Sequence, residues 1–196
     1  MNPRKPNFPI DKTFIDRWSP RAFTGEAIPE NILCTAFEAA RWAPSSANSQ
    51  PWRFVFVKKG SPEWEKFVGF MVEGNRVWAQ NASALVVLMS KKDFEWNGKI
   101  SDALSHSFDA GAAWMSMAMQ LTKDGWSAHA MGGINKDAIR AGLDVPENYA
   151  IEVMIAVGKM GDKSKLPEAL QAREMQNDRK MLESVSSEEK FKAEWR

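Results

Sequence analysis

The chain has 196 residues, of which 44% are hydrophobic and 26% charged, and it carries a net charge of +1. This is the balance of a soluble globular protein long enough to bury a core, and it excludes the strong positive field that draws a chain onto nucleic acid or an anionic membrane. A single cysteine, Cys34, excludes an internal disulfide and fits a reducing compartment.

The first segment, Met1 to Ile10, has Arg4 and Lys5 but no apolar run behind them, so it does not read as a secretory signal. No stretch reaches about 18 apolar residues, so no membrane span is expected, and a cytoplasmic location is the default expectation. From Pro29 to Arg41 the apolar positions Ile32, Leu33, Ala36, Phe37 and Ala40 follow helical spacing, with Pro29 suited to the first turn. Cys34 lies inside that pattern and is expected to be a buried structural thiol. Pro44 ends the helix, and Arg53 to Lys58 reads as a short buried strand. Pro62 to Met71 reads as a second helix, and Ala84 to Met89 as a strand covered on both faces.

Ser107 to Lys123 is the longest helical pattern, and its small and apolar residues occupy nearly the whole circumference. Such a helix is expected to be buried on all sides, through the core or against a second subunit. Gly125 suits a left-handed cap after it. Trp126 to Ala130 is strand-like, Asn135 caps a short helix over Lys136 to Ala141, and Tyr149 to Val157 is the last clear strand. Beyond Gly161 the chain becomes charged, with a weak helical stretch from Pro167 to Glu174. Residues 1–196 thus read as one α+β domain, with an N-terminal arm over 1–16 and a C-terminal extension over about 162–196. Nine tryptophans against one tyrosine either fill the core or pack a flat surface around a ring system or a partner.

No phosphate loop of the Walker type and no glycine-rich dinucleotide turn is present. His106 and His129 stand apart and no cysteine pair exists, so no metal site is expected. The remaining signals concern an anion and a polar ring. Arg17, Ser19 and Arg21 alternate, so an extended backbone points all three to one side, an arrangement suited to a phosphate. The loop from Ala43 to Trp52 gathers Pro44, Ser45, Ser46, Asn48, Ser49 and Gln50, which present neutral hydrogen-bonding groups; the same residues equally make an ordinary helix-to-strand turn. Gly132-Gly133 lets the backbone approach a ligand closely. Arg179-Lys180 is a second basic pair.

Taken together, Arg17-Trp18-Ser19-Pro20-Arg21-Ala22-Phe23, the Pro44 to Trp52 loop, Gly74-Asn75-Arg76-Val77-Trp78-Ala79, Met131-Gly132-Gly133 and Arg179-Lys180-Met181-Leu182-Glu183 resemble the nitroreductase family of FMN flavoproteins, in order, over most of the chain. The resemblance implies a central, mostly antiparallel sheet surrounded by helices, with the C-terminal extension wrapping onto the partner of a homodimer. It implies FMN at the dimer interface, NAD(P)H as hydride donor, and a small acceptor such as a nitroaromatic, quinone, enone or aldehyde. Arg17 and Ser19, with Arg21, would contact the phosphate, joined by Arg179 and Lys180. Pro44, Ser45, Ser46 and Asn48 would reach the flavin of the other subunit. Asn75 would bond the ring edge, with Gly132 and Gly133 at the ring and the Gly133 amide facing N5. No side chain is assigned as catalytic; His129 is the nearest titratable group, as a proton donor or as a partnered structural histidine. Two departures stand out: Trp78 occupies a place where some members carry a lysine, and the C-terminal motif lacks its usual proline and glycine around Gln176 to Asp178. The same residues also admit a flavin-binding storage or sensing protein, or a flavin-dependent oxidase or desaturase. A cofactor-free module docking through the Ser107 helix is a third class.

Overall fold

The computed structural model describes residues 4–192. Four strands form an antiparallel sheet in the order β1 (Trp52–Lys58), β2 (Ala84–Lys91), β6 (Tyr149–Gly158) and β5 (Ser127–Met131). β2 is buried along its length up to Ser90, as its unbroken apolar run requires. Its side chains alternate between two cores. Leu85, Val87 and Met89 meet Trp64, Phe67, Phe70, Met71, Trp78 and Ile139, carried by α3 (Trp64–Gly69), α4 (Glu73–Ala79), α6 (Lys136–Gly142) and the turns between them. Ala84, Val86 and Leu88 meet Leu33, Ala36, Ala40, Ala113, Met117 and Leu121 from α2 (Glu30–Arg41) and α5 (His106–Lys123). The architecture is therefore α+β, as the strand and helix patterns imply, with the central antiparallel sheet between helices that the family resemblance implies.

The register between β2 and β6 slips after Leu88–Val153, which leaves Glu152 as a bulged residue. Glu152 accepts hydrogen bonds from Ser90 and Ser107, and Ser90 also meets Nδ1 of His106 at 2.7 Å, which ties the start of α5 to the sheet.

Several expectations are corrected. Cys34 is exposed, because Leu33, Ala36 and Ala40 define the inward stripe of α2 and Cys34 lies about 100° round from Leu33. The helix expected over Pro62–Met71 is present as the shorter α3, and a further helix, α4, which the sequence pattern did not announce, follows it. A short helix, α1 (Lys12–Asp16), capped by the Asp11 side chain on Thr13 N, precedes the first arginine motif. The hairpin β3 (Asp93–Trp96) and β4 (Lys99–Asp102) lacks an inward apolar stripe, although Asn97 and Gly98, both at positive φ, carry the turn signal. Finally, α5 buries only Asp109, Ala110, Ala113, Met117, Ala118 and Leu121 within this chain. Its other face is partly open, and Phe108 at its start is 82% exposed. Among the described residues, no helix is long and apolar enough to cross a membrane.

Candidate anion cleft and ring-edge turn

After α1 the backbone runs extended through Arg17 to Ala22. It is held on one side by the residues that follow β6: Gly161 N donates to Ala22 O at 2.8 Å, and Thr24 N donates to Lys159 O at 3.0 Å. On the other side the C-terminal extension supplies Glu174, whose buried carboxylate accepts from Arg21 N at 2.7 Å and Ala22 N at 2.8 Å. Its second oxygen lies 3.8 Å from Nη1 of Arg21. The extended backbone puts Arg17, Ser19 and Arg21 on one side, and Arg17 Nη1 donates to Ser19 Oγ at 3.3 Å.

That side opens on a cleft of about 680 Å³, lined by Arg4, Arg17, Arg21, Arg173 and Arg179 together with Ser19 and His129. Arg4 crosses its base. Nη1 donates to Ile15 O at 3.0 Å and Arg17 O at 2.7 Å, and Nε donates to Asn177 O at 2.8 Å, so the N-terminal arm joins the arginine segment to the extension. Burial, then the nearby Arg179 and Arg4, pulls the Arg17 guanidinium below its ordinary value. An arginine remains charged under such pressure. Among the described residues lining the cleft none is a carboxylate, and Glu174 pairs with Arg21 alone. The concentration of guanidinium groups and their planar donors fit a phosphate monoester.

At the other end of β5, Gly132-Gly133 meets the start of α4. Gly133 O accepts from Asn75 Nδ2 at 3.0 Å and Val72 N at 3.1 Å. A Cβ on Gly133 would stand 2.7 Å from Asn75 Nδ2 and 2.9 Å from Val72 Cγ2, whereas one on Gly132 would meet nothing within 4 Å. Glycine at 133 is what lets Asn75 close on the turn.

The Pro44–Pro51 loop is strained. Ala47, Asn48 and Gln50 have φ of 50°, 51° and 46°, a left-handed conformation that non-glycine residues hold only when their surroundings fix it. Here Ser45 Oγ accepts from Gln50 N at 3.0 Å, and the buried carboxylate of Asp109 accepts from Ser46 N at 3.2 Å and Ser105 Oγ at 3.0 Å. The loop is thus pinned to the first turn of α5.

The fold and these sites match a known family. The model of the Nitroreductase family covers residues 15–77 and 59–159. The chain belongs to the nitroreductase family. A crystal structure of an oxidoreductase containing FMN is 46% identical, covers 98% of both chains, and superposes with a TM-score of 0.95. A protein from Streptococcus pyogenes serotype M6, provisionally named NAD(P)H nitroreductase Spy0809, is 24% identical over 174 residues, 73% of this chain and 86% of its own. A nitroreductase family protein from Clostridium difficile 630, at 20% identity, shares the fold with a TM-score of 0.72 over 94% of this chain and all of its own.

Within this nitroreductase chain the residues expected at the site fall into three groups. Arg17, Ser19, Arg21 and Arg179 line one cleft. Asn75, Gly132 and Gly133 form the turn beside α4. Pro44, Ser45, Ser46 and Asn48 line neither, and Lys180 lines an adjoining groove with Lys5, Phe14 and Arg179. Trp78 is buried beneath the cleft, its ring 4.6 Å from that of His129. Sequence reasoning did not find Arg4, a lone arginine in a polar arm, or Asp109, a carboxylate inside an apolar helical pattern. The second had a signal, since a charge at such a position is rarely buried without a partner.

Proposed function

We propose that this nitroreductase-family chain is an FMN-dependent oxidoreductase working as a homodimer with the cofactor at the interface. The cluster of arginines on a cleft whose lining, among the described residues, holds no carboxylate carries the reading, since it supplies the donor set that a ribityl phosphate requires. When bound, FMN supplies hydride transfer from NAD(P)H to a small oxidised acceptor such as a nitroaromatic, quinone, enone or aldehyde. Arg17, Ser19, Arg21 and Arg179 bind the phosphate, with Lys180 at its margin. Asn75 keeps one N–H and its carbonyl for the ring edge, because its other donor role is spent on Gly133. The Gly132-Gly133 backbone approaches the ring closely. Pro44, Ser45, Ser46 and Asn48 serve the cleft of the second copy. No side chain of this chain is assigned as the proton donor.

The experiment is the visible spectrum of the purified protein, with its ligand released and identified, followed by addition of NAD(P)H and then a quinone. Oxidised-flavin absorbance that NAD(P)H bleaches and a quinone restores supports the reading. A colourless protein that also refuses added FMN overturns it, and flavin that NAD(P)H fails to reduce leaves a binder without turnover. Arg17→Ala should weaken FMN binding by about 10- to 100-fold, the scale of one charge-assisted bond to phosphate, while thermal unfolding stays cooperative. Unchanged affinity removes Arg17 from the phosphate site.

A further inference from the structure

We propose that His129 belongs to the phosphate site as a proton-accepting member, neutral while the cleft presents only arginines and protonated when a phosphate monoester enters. This rests on the FMN reading above and adds to it a residue and a proton. His129 stands on β5 and lines the cleft, with Nδ1 2.9 Å from Pro20 O. A carbonyl only accepts, so Nδ1 carries a hydrogen in either state, and Nε2 is the nitrogen that gains or loses one.

The groups around the ring set opposite demands. From the arginine segment, Arg17 and Arg21 repel a charged imidazole, while the backbone at Pro20 and Ser19 favours it. Arg4 from the arm and Arg173 and Arg179 from the extension line the same cleft and add like charge. Glu174 sends one oxygen to the two backbone N–H groups, and its other oxygen lies 3.8 Å from Arg21 Nη1. From α4, the tilted Trp78 ring offers a face that suits a cation but carries no charge. Across the sheet, His129 lies opposite Ala156 of β6, which is apolar. Burial first, and then the arginines, hold the imidazole below its ordinary value. A phosphate in the cleft offsets the arginines' field at the ring, and Trp78 and Pro20 already favour the protonated form.

The chain has only two histidines, so its proton NMR spectrum shows two imidazole signals that His129→Gln or contact with the Trp78 ring assigns. Both signals are titrated with pH in flavin-free protein, with FMN, and with riboflavin, which lacks the phosphate. The expected result is a His129 midpoint higher by about two pH units with FMN, the scale of a negative charge about 6 Å away at an effective dielectric constant of about 20. Riboflavin leaves the midpoint in place. FMN affinity should also strengthen as pH falls from about 7.5 to 5.5 more in the wild type than in His129→Gln, a comparison that cancels the titration of the phosphate itself near pH 6. A His129 midpoint unmoved by bound FMN overturns the proposal and leaves the FMN reading standing. A protein that takes up neither flavin removes both. The wild-type titration decides the matter even if the variant fails to fold.

Discussion

Two neighbouring glycines have different jobs. At Gly133 an added methyl collides with Val72 Cγ2 and with the amide of Asn75, and the amide cannot yield without losing its bond to Gly133 O. Gly133→Ala should therefore cost about 1–3 kcal/mol of stability, and Gly132→Ala, with open space around it, should cost little. Urea unfolding of the two variants checks the contrast; equal effects would detach Asn75 from the turn. His129 has a separate consequence for the flavin-free fold. Its folded value lies below the unfolded one near 6.5, so the unfolded chain binds more protons in the window just below that value. Stability is then complete above about pH 6.5 and falls as acidification proceeds through the window. The urea midpoint of the flavin-free protein should drop with acid, and His129→Gln should flatten that slope.

At the scale of elements, the cleft exists because three segments distant in sequence are locked together. Glu174 satisfies the N–H groups of Arg21 and Ala22 across 153 and 152 residues, and Arg4 reaches Asn177 across 173. Removing the Glu174 side chain leaves two inward N–H groups without acceptors, so Glu174→Ala should destabilise by at least about 2 kcal/mol. Glu174→Gln, which keeps an acceptor oxygen, should fall between. Limited proteolysis should cut the extension after Gly161 faster in the alanine variant, and unchanged protection would mean that other contacts hold it. These locks explain what was legible in the amino-acid sequence. Helices and strands leave a local period, so β2 and α5 announce themselves, and Arg17, Ser19 and Arg21 share a side by simple alternation. Long-range partners leave no such mark: nothing near Arg4 points to Asn177, and nothing near His129 points to Pro20 or Trp78. Cys34 shows the other limit, since apolar neighbours set a helix's inward stripe only to within one residue, and the stripe passes beside it.

For the whole molecule, the arrangement of the three expected groups argues for two copies. The strained loop bearing Ser45, Ser46 and Asn48 is held rigidly by Asp109, yet it does not line the arginine cleft of its own chain. A loop kept in left-handed geometry at a cost of order 1 kcal/mol or more per residue needs a reason, and it is surrounded by exposed apolar side chains. Leu104 shares a small pocket with Ser46 and is 93% exposed, and Phe108, in the first turn of α5, is exposed as well. Single exposed apolar residues are ordinary, but these flank the same loop, and the open face of α5 continues beyond them. A second copy covering this surface would bury the face and carry the loop towards a cleft at the same time. Phe108→Glu should then yield a monomer by sedimentation velocity and release FMN together. Arg17→Ala should lose FMN affinity and remain a dimer. The two variants separate the interface from the phosphate site. A Phe108→Glu monomer that keeps wild-type FMN affinity would place the entire cofactor site within one chain and leave the strained loop with another role.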